Sequence, residues 1–390
     1  MNTGSYVFKQ FSGLISRYEF DKCVDRYKGN YRVRDFNCWN QFLCMAFGQL
    51  THRESITDIL TCLGAHGSTL YHMGIKPVVA VSSLTRANEN RDHRIYKDFA
   101  MHLLGITRPL YSSDSDFTLE LDNSVYAFDS TTIDLCLTMF EWAKFRKTKA
   151  AVKMHTLLDL RGNLPTFIHI TDGKVHDVNS LDVMPVEQDA FYVMDRGYVD
   201  FARLYAIAGR GAFFVVRAKD NLSFTCTGSR KVDKTTGLRC DQTIKLKTKK
   251  SAREYPGKLR RVKFFDEETG LTLVFLTNNF EIDAIMVAML YKQRWQVELF
   301  FKWIKQHLKI KAFWGFSENA VKTQIWIAVC TYLLLAYLKK QVKSDLTLYE
   351  IQQILSVSIF SKTPINELLN QVKIENKRTD SCNQLNLFDL

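Results

Sequence analysis

Nine cysteines are scattered along 390 residues, and no two of them form a Cys-x-x-Cys pair. Their spacing speaks against a zinc ribbon and against a redox couple. The odd count and the lack of a signal peptide fit a soluble protein of a reducing cytoplasm. Long apolar runs are also missing. The most apolar one, Ile325 to Leu338, lies between Lys322 and Lys339 and contains Thr331, which makes it short for a bilayer and suited to a buried helix. Acidic residues are outnumbered, 41 against 53 Lys and Arg, for a formal charge of +12. That shortage of negative charge favours a polyanionic partner such as nucleic acid.

What is present is a globular composition, 46% hydrophobic and 13% aromatic, in a chain long enough for two or three domains. The basic excess is concentrated. Between Arg217 and Lys263, 15 Lys and Arg stand against Asp220, Asp233, Asp241 and Glu254, a local balance of +11. Residues 1–75 read as helical, with apolar residues at helical spacing from Trp39 to Leu50 and basic clusters at Arg26-Tyr27-Lys28 and Tyr31-Arg32-Val33-Arg34. A further helix opens at Ser82-Ser83-Leu84-Thr85-Arg86, capped by Ser or Thr, with a polar first turn able to touch phosphates.

Beyond that helix the period changes from helical to alternating. Ser124 to Phe128 reads as a short strand ending in Asp129. Val152 to Leu158 and Leu164 to Ile170 read as strands joined by an Arg161-Gly162-Asn163 turn. Phe191 to Met194 is a fourth strand ending at Asp195, and Gly197 leads into a helix over 201–208. Gly211 to Val216 is a fifth strand. Three antiparallel strands followed by strand, helix and strand is the order of an RNase H-like fold. Both aspartates then sit where a strand runs out, the place where open α/β sheets hold ligands. Residues 218–276 interrupt this pattern with alternating Thr, Val, Leu and charged residues and with turns at Thr235-Thr236-Gly237, Tyr255-Pro256-Gly257 and Glu268-Thr269-Gly270.

The expected class is therefore α/β, an RNase H-like core interrupted by a β-rich basic insertion and preceded by a helical N-terminal domain. The expected partition is a helical domain at 1–75, a helical connector at 76–120, core at 121–217, insertion at 218–276, core again at 277–340, and a helical segment with a tail at 341–390.

No Gly or Pro occurs from Glu281 to Ile310, and this stretch reads as one helix. At about 100° per residue from Tyr291, Arg294 falls at about −60°, Glu298 at about −20° and Lys305 at about −40°, a stripe about 21 Å long. Trp295, Phe301 and Trp303 lie to its sides, where they can pack the helix down. A carboxylate between cations on an anchored helix suits a metal ion working on a phosphodiester. The pattern Tyr-x2-Arg-x3-Glu-x6-Lys resembles the signature of IS4-type DDE transposases, and Tyr291, Arg294, Glu298 and Lys305 fill all four places.

The resemblance implies a bacterial insertion-sequence transposase whose N-terminal domain grips the element's terminal inverted repeats. It implies a β insertion between the second Asp and the Glu, and a homodimer on DNA. It also implies nicking of each end, a hairpin, and joining of the ends to target DNA. The family's hairpin step stacks a flipped base on an insertion Trp. No Trp lies between Asp195 and Trp295 here, which leaves Phe264 or Phe275 for that place.

Phosphoryl transfer on DNA needs divalent cations held by hard oxygens from separate segments. Asp129, Asp195 and Glu298 meet that need, with Asp129 shared between two ions and each of the others holding one. Mg²⁺ is the expected ion, with Mn²⁺ able to replace it. Tyr291, Arg294 and Lys305 are expected to hold the phosphates beside the cut.

Other acids compete less well. Asp134 lies an odd number of residues from Asp129 and points to the other face. Asp159 and Asp189 read as turn or surface residues. The run Asp172-Gly173-Lys174-Val175-His176-Asp177 follows a core strand and suits a supporting role near the site. The terminal Gln384-Leu385-Asn386-Leu387-Phe388 resembles the peptide by which bacterial proteins dock on the replication sliding clamp. Two other readings compete: a different RNase H-like DNA nuclease, and a catalytically idle DNA-binding derivative. Such nucleases are usually much shorter and lack both the insertion and the charged stripe, while the intact acidic triad argues against an idle protein, because buried unpaired carboxylates are costly.

Overall fold

The computed structural model describes residues 4–75, 79–112, 121–146 and 149–371, so the Gln384–Phe388 peptide lies outside the described residues. The chain divides into two compact units. One runs from Arg108 to Gln306; the other joins the stretch up to Thr107 with the stretch from His307 onward. The helical unit begins with α1 (Val7–Ser12), α2 (Arg17–Arg26), α3 (Cys38–Leu50), α4 (Ile56–Gly64), α5 (Gly67–Leu70), α6 (Val81–Asn90) and α7 (Arg94–Thr107). Ser16, Asn37 and Ser55 accept backbone N–H groups in the first turns of α2, α3 and α4, donors that a helix cannot pair by itself. Helix α6 starts at Val81, and no side chain caps it. The expected Ser or Thr cap is therefore absent, because Ser82 and Ser83 already lie inside the first turn.

The other unit is built on a ten-stranded sheet. Its first part contains β1 (Val125–Leu135), β2 (Lys144–Arg146), β3 (Lys149–Asp159), β4 (Leu164–Asp172), β5 (Phe191–Met194) and β6 (Phe213–Arg217), with α8 (Phe201–Gly209) between the last two. Strand β3 is antiparallel to β4 and β1, while β1, β5 and β6 run parallel. The order β4-β3-β1-β5-β6 is that of an RNase H-like core. In the β3–β4 turn Gly162 and Asn163 have φ of 84° and 54°. A Cβ at Gly162 would meet the Tyr111 ring at 2.3 Å, so only glycine fits. All four residues of β5 are buried, as a central parallel strand requires. On one face Tyr126, Phe128, Tyr192, Met194, Phe214 and Val216 pack with Leu204 and Ile207 of α8.

Strand β1 does not stop at Phe128 as expected. Pairing with β5 ends there, at Phe128↔Met194, but pairing with β3 continues from Asp129↔Thr156 to Leu135↔Ala150. The polar Ser130-Thr131-Thr132 stretch stays extended because β3 satisfies its backbone. Strands β7 (Phe224–Arg230), β8 (Leu238–Leu246), β9 (Leu259–Asp266) and β10 (Leu271–Thr277), with α9 (Lys249–Glu254), make up the expected insertion. They extend the same sheet, because β10 pairs antiparallel with β6. One cation of the basic excess faces inward: buried Arg260 places Nε and Nη2 each 2.9 Å from the Asp241 carboxylate.

Two helices, α10 (Ala284–Lys292) and α11 (Trp295–His307), replace the single helix expected over 281–310. At the break the N–H groups of Arg294, Gln296 and Val297 bond the carbonyls of Tyr291, Gln293 and Arg294. Each bond spans three residues, a tightening that breaks the helix without Gly or Pro. The chain ends in α12 (Glu318–Gln341), α13 (Leu348–Ser358) and α14 (Ile365–Gln371). Helix α12 has the length and apolarity of a membrane span, yet 89% of its most apolar window is buried. It packs against α3, α6 and α7, which accounts for a helix apolar on every side. The grouping thus differs from the expected partition, which placed α12 with the core.

His155, opposite Ser130 on β3, is fully buried. Burial pushes its imidazole down to about 4; Asp177 pulls the other way, while His169 and Lys153 reinforce burial. An unfolded His takes up a proton below about 6.5 and the folded one does not, so stability falls as pH drops from about 6.5 to about 4, by about 3 kcal/mol. His155→Gln is expected to remove that one-proton slope in urea unfolding between pH 7 and 4. A slope that the substitution leaves unchanged would contradict a buried neutral imidazole.

Candidate active site

The parallel strands fix the site. One step past the last β1–β5 pair, Phe128↔Met194, stand Asp129 and Asp195. One step past the corresponding β5–β6 pair, Met194↔Val216, stands Arg217. Where the parallel pairing stops, three neighbouring strands therefore present Asp, Asp and Arg at one level, on the side where such sheets hold ligands. The Ser130 N–H donates to Asp129 Oδ1 at 2.8 Å, and Thr156 faces Asp129 across β3. Asp195 begins the short turn into 196–198, and its carboxylate caps no backbone N–H there.

The two helices bring the remaining groups. Tyr291, at the end of α10, is buried with its ring 4.7 Å from that of Phe275 on β10. Its hydroxyl donates to Asp195 Oδ1 at 2.9 Å. Burial, with Asp195 beside it, pushes that phenol up to about 12. Arg294, at the break, donates from Nη1 to Asp129 Oδ2 at 3.1 Å and from Nη2 to Glu298 Oε1. The three side chains are 16%, 20% and 34% exposed for Arg294, Asp129 and Glu298, respectively, so the bridge is partly shielded from water. Lys305, two turns further along α11, donates from Nζ to the Thr132 carbonyl of β1 at 2.8 Å.

Asp129 is pushed up to about 6, first by burial. The Ser130 amide and Arg294 lower it, and the charges of Glu298 and Asp195 raise it. The Arg294 bridge and the neighbouring strand positions place the three acids in one neighbourhood. Among the described residues no three His, Cys, Asp or Glu side chains cluster tightly enough for a single ion. The donor set nevertheless fits divalent cations taken as pairs, Asp129 with Asp195 and Asp129 with Glu298, because the Arg294 guanidinium already spans the second pair as a positive charge.

All six residues expected at the site lie in this one unit. Tyr291 and Arg294 are turned toward the carboxylates, and Lys305 toward β1. Several other expectations do not hold. Trp295 does not pack α11 down; it is 55% exposed, whereas Phe301 is buried. Phe264 and Phe275 are both buried, and neither offers a free face to a base. Asp159 is no surface residue: it is buried and lies 2.7 Å from Arg108, a pairing across 51 positions that local sequence cannot show. Asp189, by contrast, sits in a turn at φ 59°, and Asp134 lies further along β1 opposite Ala151.

Sequence reasoning counted Arg217 only as part of the basic excess. Its position directly after a buried strand, like that of the two aspartates, was the signal for it.

A family model described as the transposase DDE domain matches residues 120–334, and a domain of unknown function, DUF4372, matches residues 3–76. A protein of Sinorhizobium fredii named as a transposase is 37% identical over 211 residues, covering 53% of this chain and 58% of the relative. One of Geobacillus stearothermophilus, named for insertion sequence element IS5377, is 30% identical over 250 residues, 64% of this chain and 65% of the relative. One of Synechocystis, named for insertion sequence element IS4SA, is 25% identical over 270 residues, 67% of this chain and 72% of the relative. The matches span less than two thirds of the first two relatives' own length. A cryo-EM structure of piggyBac transposase in a synaptic complex with hairpin DNA, 9% identical, aligns over 95% of this chain and 82% of that one at a TM-score of 0.45, too slight a likeness to establish a shared fold.

Tyr291→Phe keeps the ring against Phe275 and removes only the bond to Asp195. A hydrogen bond to a charged group contributes about 1.5–3 kcal/mol, so thermal melting is expected to fall by several degrees. Identical melting of wild type and Tyr291→Phe would show that the bond contributes nothing.

Proposed function

The chain belongs to the DDE transposase family, and from that premise we propose that it is the transposase of a bacterial insertion sequence, cutting DNA at the element's ends and joining them to target DNA. The observation that carries this reading is the meeting of Asp129, Asp195 and Glu298 under Tyr291 and Arg294. Asp129, Asp195 and Glu298 would hold the divalent cations, with Asp129 the ligand common to both, since three segments supply the hard oxygens that such ions need. Bound Mg²⁺, or Mn²⁺ in its place, supplies an acidified nucleophile and neutralises charge on the attacked phosphate. Arg294 then gives up its bridge and turns its planar fork to a phosphate oxygen, with Tyr291 and Lys305 holding the neighbouring backbone. Arg217, level with the two aspartates, adds positive charge on the flank toward the insertion.

The rest of the chain supports DNA as partner. The basic excess lies on the strands that continue the sheet and on the turns and helix α9 between them, suited to tracking a phosphate backbone. Residues 1–75 are assigned to the terminal inverted repeats and the working form to a homodimer on DNA. The terminal Gln384–Phe388 peptide is assigned to the replication sliding clamp. For a hairpin step, exposed Trp295, one residue after Arg294, offers the ring that Phe264 and Phe275 do not.

The test is cleavage of DNA bearing the element's ends with Mg²⁺. Asp129→Asn, Asp195→Asn and Glu298→Gln are each expected to lower cleavage by more than about a hundredfold, within the range that charge-stabilising groups contribute, while mobility-shift affinity for the same DNA is retained. Cleavage surviving all three would sink the catalytic assignment. Binding without cleavage in the wild type would favour the idle derivative, and cleavage without joining a different nuclease. Trp295→Ala is expected to spare the first nick and slow hairpin formation by about tenfold or more, the loss of one base-stacking contact, read on denaturing gels. Equal hairpin yield would exclude Trp295.

A further inference from the structure

At the end of β6 a cavity of about 210 Å³ opens between the segment over 217–224 and strands β9 and β10. Its walls carry three cations, Arg217, Lys219 and Arg261, against a single carboxylate, Asp220. Asp220 lies 3.4 Å from Arg196, the residue after Asp195, and its side chain is 90% exposed. A carboxylate so open to water does little to neutralise the cavity.

The cations are held in place without being matched by acids. Arg261 stacks on Phe224, its guanidinium 5.0 Å from the ring centre. Its Nη1 donates to Gln242 Oε1 at 2.8 Å and to Cys240 Sγ at 3.1 Å. Lys219 Nζ donates to the Val199 carbonyl at 3.0 Å, which fastens the segment after β6 to the segment after Asp195. The Arg217 side chain makes no hydrogen bond or ion pair among the described residues. Arg260, on the other face of β9, is by contrast matched by Asp241.

An arginine steadied by a ring and by neutral acceptors has lost side-chain freedom and kept its full charge. That condition suits capture of an outside anion, and the planar guanidinium fork matches phosphate oxygens. Arg217 stands level with Asp129 and Asp195, one strand spacing of about 4.8 Å from the Asp195 position. An anion in the cavity therefore lies beside the acids, toward the insertion.

We propose that Arg217, Lys219 and Arg261 form a seat for one backbone phosphate of a DNA strand, on the insertion side of the cut. The inference rests on the reading of the acids as a DNA-cutting site. Such a seat fixes the register of the strand and reads no sequence.

The experiment measures binding of the full chain to DNA carrying the element's ends, in EDTA so that no strand is cut, between about 50 and 200 mM KCl. Arg217→Gln and Arg261→Gln are each expected to reduce the slope of log affinity against log salt by about 1. Melting of Arg217→Gln stays at the wild-type value, since that side chain bonds nothing in the fold. Replacing single phosphates by neutral methylphosphonates locates the contact: in the wild type one position near the cut weakens binding, and in either variant the same replacement has no further effect. Inorganic phosphate alone is expected to give no heat of binding at millimolar concentration. Slopes equal to wild type, or a methylphosphonate pattern that both variants leave unchanged, overturns the inference. Inorganic phosphate that binds the wild type and not Arg261→Gln, with the DNA slope unchanged, assigns the cavity to a free anion and overturns it too. Cleavage that survives Asp129→Asn overturns the reading of the acids instead, and the binding measurements still decide the seat.

Discussion

A guanidinium between two carboxylates holds the candidate site together. Arg294 reaches Asp129 on the sheet and Glu298 one helical turn away. Like charges in partly buried space repel each other, and between these two acids that repulsion is offset by the guanidinium of Arg294. Its reach depends on the break between α10 and α11, since a continuous helix would aim Arg294 and Tyr291 along one straight stripe. The tight turn instead lets Tyr291 address Asp195 while Arg294 addresses Asp129. The charged groups are thus held in mutual contact, and under the proposed function their exchange of partners would need side-chain movement more than backbone movement.

The sheet does the coarse positioning. Parallel strands ending at one level place Asp129, Asp195 and Arg217 side by side without any loop having to find its place. The aromatic contact of Tyr291 with Phe275 then seats α10 against the strand that leads out of the insertion. The insertion is therefore coupled to the site by covalent and packing continuity: β10 pairs with β6, and β6 carries Arg217. Nucleic acid held along the basic strands would be registered against the acids by the same hydrogen bonds that build the sheet.

Much of this was legible in the chain. Phe191–Met194 and Leu164 onward are apolar runs bounded by turn residues, so the limits of the first, the start of the second and the place of Asp195 could be located to the residue. Glu298 stood out through the resemblance of its stripe to a family signature, four residue types at fixed gaps that stay informative even where the helix is misjudged. Four features stayed hidden. The break at Gln293–Arg294 contains no helix breaker and follows from tertiary contacts of Tyr291 and Arg294. The burial of Asp159 depends on Arg108, a partner far off in sequence. The extension of β1 past Asp129 depends on β3 rather than on the polar residues themselves, and the exposure of Trp295 depends on what packs beside α11.

The order of the elements along the chain has a consequence during synthesis. Helix α12 fills the core of a unit whose first seven helices are made well over two hundred residues earlier. At about 5–20 residues per second, that gap leaves the apolar faces of α3, α6 and α7 uncovered for tens of seconds on the ribosome. The sheet-bearing unit finishes first, so the nascent protein passes through an interval with an assembled set of acids and an unfinished helical half.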